Sequence, residues 1–247
     1  MFAVVGVSSN KRWTTTIAGA ALSLLAVVTV GERPAQAASC RADASAEIDW
    51  SACNKRLLML GGSMLDGADL RGTDFTFTDL RGSSFKKANL EKAKLIRTSL
   101  ASSQLQDANF IKVEAYRGDF SDADAENAKF NSAEMQRASF ENAKLAGANF
   151  TKAELGRTDF SGATLTGAKF TMTNLSRSNF EGATFTGAID FENAFLLLTR
   201  IEGLDLSAAT GLEQKQIDMA CGDAKTKLPQ GLTTPTSWPC AEDPDED

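Results

Sequence analysis

The large hydrophobic residues of this chain recur every five positions. From Leu65 to Phe185 there are 25 such positions; 22 hold Leu or Phe, and the others are Ala115, Ala125 and Met135. Two residues before each stands a small side chain: 14 Ala, five Thr, four Ser, Val113 and Gly118. The stretch Ala143-Lys144-Leu145-Ala146-Gly147-Ala148-Asn149-Phe150 shows the unit plainly. A period of five matches neither the 3.6 of a helix nor the alternation of a flat strand. Unbroken self-similarity of this kind predicts a solenoid. Pairing one large inward residue with a very small one is what a narrow, close-packed core requires.

From Leu57 to about Gly211 these units resemble the pentapeptide-repeat family, whose repeat is Ala-(Asp/Asn)-Leu-X-X. The resemblance implies an all-β fold, a right-handed quadrilateral β-helix in which each repeat forms one side and four make a coil. The large and small apolar residues then point inward and the other three outward. Four repeats per coil require a second period of twenty, and the chain has one. Phe110, Phe130, Phe150 and Phe170 form one column, and Phe120, Phe140, Phe160 and Phe180 another, two sides away. An outward column, Arg97, Arg117, Arg137, Arg157 and Arg177, keeps the same spacing. At about 4.8 Å per coil the rod is roughly 35 Å long. After Phe185 the inward residues become Phe191, Leu196, Ile201 and Leu206, so one residue is inserted near 188–190, which reads as a corner bulge. Ala115 and Ala125 under-fill the core near Tyr116, where Met135 can adapt, and this is read as local packing.

The expected organisation is a signal peptide over 1–37, an N-terminal cap over 38–56, the repeat helix over 57–211, and a C-terminal cap with acidic tail over 212–247. Lys11 and Arg12, the apolar stretch Thr16 to Val30, and Ala35-Gln36-Ala37 read as basic start, apolar region and cleavage site. Cleavage would leave a periplasmic or secreted chain with no transmembrane segment. Lipid attachment at Cys40 is the weaker alternative, because Cys40 lies well beyond the apolar run. Four cysteines suit an oxidising compartment, and three pairings are formally open. If the repeats form a rod, only Cys40 with Cys53 and Cys221 with Cys240 can meet, one pair at each end. Ile48 and Trp50 are expected to lie across the first coil, and residues 211–220 to form a short helix carrying Leu212, Ile217 and Met219. The segments Asp49-Trp50-Ser51-Ala52-Cys53 and Cys221-Gly222-Asp223 also resemble caps of exported bacterial members of the family.

The chain has no histidine, which removes the commonest general base and metal ligand. It has no phosphate-binding glycine loop and no Cys-X-X-Cys, so neither catalytic residues nor a cofactor or metal is expected. Asp119, Asp122, Asp124 and Glu126 lack the spacing of a calcium loop and read as a solvated acidic face. The arginine column is the one surface feature that chance does not explain. It reads either as a ladder interlocked with carboxylates such as Glu114, Glu134, Glu154, Asp119 and Asp159, or as a strip for a multivalent anion or acidic partner. Not an enzyme but an exported scaffold or interaction module is therefore expected, with a protein or envelope component as partner and pairing of two rods left open. The alternative comes from the resemblance, since some family members mimic DNA and bind type II topoisomerases. The leader argues against it, as does charge: residues 57–211 hold 20 acidic and 17 basic residues, and the whole chain carries only -6. No nucleic-acid partner is expected.

Overall fold

The computed structural model describes residues 39–241. The expected leader over 1–37 and the acidic tail over 242–247 lie outside the described residues. Residues 39–241 form a right-handed quadrilateral β-helix with stapled ends. Each side contributes one parallel bridge to the side above, from Asp49 with Asp69 to Thr164 with Thr184, all twenty residues apart. The ladder is carried by bonds such as Leu70 N–H to the Asn89 carbonyl (2.8 Å) and Asn89 N–H to the Ala68 carbonyl (2.9 Å).

Three side-chain rules explain why five residues make a side. The inward column closes the core: Phe130 and Phe150 stack at 4.8 Å between centroids, and Phe140 and Phe160 at 5.3 Å. Across the core the two phenyl columns meet edge to face, as Phe140 does with Phe150 at 5.6 Å. The small inward residue is most often Ala, and where it is Ser or Thr the hydroxyl finds a backbone carbonyl, as a rule one of the coil before. Thr98 donates to the Phe75 carbonyl (2.7 Å), Thr173 to Phe150 (2.7 Å) and Ser178 to Leu155 (2.8 Å), so no buried hydroxyl is left unpaired there. The outward wall residue just before the large one is often Asp or Asn, because its carboxyl or amide oxygen accepts the N–H two residues on. Asp69 does this for Arg71, Asn109 for Ile111 and Asp159 for Ser161. These Asx turns start each corner.

Each corner then needs a left-handed residue. Among the described residues, twenty-two non-glycine residues have positive φ, nearly all at the second corner position, including Lys152 (61°), Asn142 (56°) and all five column arginines (52–59°). None of the 22 is Val, Ile or Thr. A branched Cβ is excluded from this backbone conformation, whereas the first corner position accepts Ile96 and Ile111. Ser132 (φ 54°) therefore offers a clean test. Ser132→Ile should cost about 1–3 kcal/mol, Asn131→Ile beside it less than about 0.5, and Ser132→Gly should stabilise slightly. Urea titrations decide it, and equal costs for the two isoleucines would remove the corner from the explanation.

The ladder runs beyond 57–211 at both ends. Trp50 and Cys53 occupy inward positions of a full first coil, so the residues expected to lie across the core instead belong to it. Lys55 also points inward, with its Nζ 3.5 Å from the centre of the Trp50 ring. Burial lowers its pKa, opposed by Asp43. The extra residue is taken up after Phe185, where bridges lengthen to twenty-one residues, as in Lys169 with Asp190, and Ile189 fills the small inward place. Further slips of one and two residues join Arg200 to Cys221 and Asp205 to Lys227. The expected helix shrinks to one turn, Gln214–Ile217. Its buried Gln216 donates to the open carbonyls of Phe191 and Ala194, both at 2.9 Å, and Ile217 seals the core. Disulfides join Cys40 to Cys53 and Cys221 to Cys240.

Candidate functional site

Arg97, Arg117, Arg137, Arg157 and Arg177 stand on one corner, each at the left-handed position. Successive corners are locked by Arg97 N–H to the Tyr116 carbonyl (3.0 Å), Arg117 to Gln136 (3.0 Å) and Arg137 to Gly156 (2.9 Å). The column therefore has the pitch of the coil, which the stacked rings place near 4.8–5.4 Å. It continues into apolar residues at both ends, Leu57 and Phe77 below and Leu198 above.

The surroundings depart from an interlocked ladder. Among the described residues no ion pair joins Arg97, Arg117 or Arg137 to a carboxylate. Arg97 lies over the Phe77 ring at 5.7 Å and Arg117 over the Tyr116 ring at 5.6 Å. On one flank runs a wall column of Lys94, Glu114, Glu134, Glu154 and Asn174, bridged in order along the ladder. Within it Lys94 pairs loosely with Glu114 (3.9 Å) and Asn174 donates to Glu154 (2.9 Å). On the other flank Asp119 accepts the hydroxyls of Ser99 (2.8 Å) and Ser121 (2.6 Å). Asp79 holds Arg81 with two bonds (2.9 and 2.6 Å), and these, with the Arg81 N–H, keep its carboxyl near a pKa of about 2. Phe77, Thr78, Asp79, Arg81, Arg97, Ser99 and Asp119 line an open depression of about 400 Å³. Its acidic groups are already engaged, which suits a contact surface better than a reaction centre.

Exposed apolar side chains gather here too. Leu57, Leu58, Met59, Phe77, Tyr116, Phe195 and Leu197 all lie on or beside this corner, and of the large exposed hydrophobics among the described residues only Met64 and Met172 lie elsewhere. Sequence reasoning missed Phe77, although its place gives it away: two residues after inward Phe75 there is no core for a ring to enter. Asp119, Asp122, Asp124 and Glu126 fan out over successive walls and corners, and no metal-holding cluster occurs among the described residues.

The profile of pentapeptide repeats (8 copies) matches residues 63–101, 83–122 and 103–142, and that of the pentapeptide repeat region matches 133–210. The chain belongs to the pentapeptide-repeat family. Among solved structures it is similar to HetL, a pentapeptide repeat protein involved in heterocyst differentiation regulation from the cyanobacterium Nostoc. Identity there is 19%, covering 80% of this chain and 86% of that one, with a TM-score of 0.42. A pentapeptide repeat protein of the Arabidopsis thaliana thylakoid lumen is 25% identical over 49% of this chain and 79% of its own, at a TM-score of 0.35. QnrB1, a plasmid-mediated fluoroquinolone resistance protein, is 18% identical over 70% of this chain and 90% of its own, at 0.39. No curated protein sequence matches this pentapeptide-repeat chain significantly.

Proposed function

We propose that this pentapeptide-repeat protein is a non-catalytic, exported interaction module that binds a protein or envelope component along its arginine corner. The observation that carries the reading is the coincidence on one corner of five arginines at coil pitch with exposed Phe77 and Tyr116. Arginine and aromatic side chains on a rigid support are the residues that dominate protein interfaces. A folded solenoid presents them already ordered, so binding loses little conformational entropy. Export is supported by the leader pattern and by two disulfides, which persist in oxidising compartments. The mixed charge of the rod favours a partner of patterned charge over the uniformly acidic surface that imitation of DNA requires.

The test compares the disulfide-intact mature protein with an Arg117→Gln, Arg137→Gln, Arg157→Gln variant in capture from an envelope extract. The variant should keep its melting temperature within a few degrees and lose the captured partner. Retained capture with lowered stability would make the column structural.

A further inference from the structure

The first corner position beside the arginines begins with Arg56 in the first coil and then reads Thr76, Ile96, Tyr116, Gln136, Gly156, Ser176 and Leu197, with no charge over those seven coils. No other first-corner column is so free of charge: the equivalents include Arg71 and Glu91, Arg81 and Glu141, and Lys86 and Glu126. This neutral seam has a glutamate ladder on one side, Glu114, Glu134 and Glu154, and the arginine ladder on the other. Both ladders stack like charges one coil apart, an arrangement that is unfavourable without opposite charges nearby. Glu134, Arg117 and Arg137 have no ion-pair partner among the described residues, although Glu134 and Arg137 are three residues apart.

A free polyanion fits this strip poorly, because carboxylates flank the arginines on both sides. What fits is a surface with the same alternation at the same pitch. Resting on the reading that this corner binds, we propose that its partner is a second copy of the chain, laid alongside in parallel about a two-fold axis running along the seam. That operation exchanges the two ladders at equal height. Glu114 meets Arg117 of the second copy and Glu134 meets its Arg137, and each pair occurs twice. Tyr116 and Leu197, both about two-fifths exposed, meet their own copies near the axis. Lys94 would face Arg97 of the second copy, and this mismatch marks the lower end of the paired region. The logic is that of a coiled coil, an uncharged seam flanked by complementary charges. A strip about one wall wide is at the small end of specific interfaces, so the dimer is weak and weakens with salt.

Sedimentation equilibrium of the mature protein should show a mass that doubles and stops there, with dissociation at least about tenfold stronger in ~1 M salt. Arg117→Glu with Arg137→Glu, and separately Glu114→Arg with Glu134→Arg, should each give a folded monomer. Mixing the two variants should restore a dimer about as tight as wild type, since opposite charges then face each other across the axis on both ladders again, as they do in wild type. A Tyr116→Cys variant should cross-link to a covalent dimer on oxidation. Wild type that stays monomeric at every concentration, or reversed variants that dimerise as wild type does, would overturn the proposal. A monomer that still captures a foreign partner through the arginines leaves the broader interaction reading standing.

Discussion

Phe150→Ala should cost about 3–5 kcal/mol, toward the upper end of what large core deletions cost. Phe150 lies between Phe130 (4.8 Å) and Phe170 (5.1 Å) in its own column and meets Phe140 (5.6 Å) and Phe160 (5.7 Å) edge to face. Removing the ring strips one face or edge contact from each of four neighbours. The core cannot collapse to fill the space, because the hydrogen-bonded coils above and below fix the walls. Lys152→Ala, two residues away on an exposed corner, should change stability by less than about 0.5 kcal/mol. Both are read in one denaturant titration series. Equal losses would mean that the rings do not form the core.

How much of this was legible follows from which positions the fold constrains. Inward residues must fill a fixed volume once per side, so the five-residue period names the buried series Leu65 to Phe180 without structural help, while Phe185, at the register slip, is only half-buried. The outward wall carboxyls and amides read in sequence at most as partners for the arginines, yet Asp69, Asn109 and Asp159 are tied to their own corners. The missing β-branched residues at the second corner position were also visible, since Lys92, Arg97, Ser102 and Asp107 alternate with no Val, Ile or Thr. What could not be read was where long charged side chains go. Coil pitch places Arg117 above Arg97, but whether the guanidinium meets a carboxylate or an aromatic ring depends on local contacts of small free energy. The first coil was hidden for a related reason. Lys55 in an inward place breaks the hydrophobic pattern, and the Trp50 ring beneath its ammonium, with the charge of Asp43, makes that place tolerable.

Replacing Cys221 and Cys240 by Ser should cost about 3 kcal/mol, the chain-entropy value for closing a loop of this length, and should act locally. The bridge spans 19 positions in sequence and draws the strap after Cys221 back over the last coil. There the Trp238 indole donates to the Ala220 carbonyl (2.6 Å), and its ring lies where even a methyl group on Gly222 would collide at 2.4 Å. Without the crosslink the strap is left with the Trp238 bond and the two bonds between Gln214 and Thr233, both at 2.9 Å, so the cover over the last coil loosens. Because each coil of a solenoid contacts only its neighbours, the loosening should start at this end and fade along the rod. Hydrogen exchange should therefore quicken in residues 196–210 and stay slow around Phe130 to Phe160. Ser at Cys40 and Cys53 should matter less at the far end of the rod, since that loop is shorter, with a separation of 13. Uniformly faster exchange along the whole rod would show instead that the coils melt as one unit, and that the staple stabilises the fold globally.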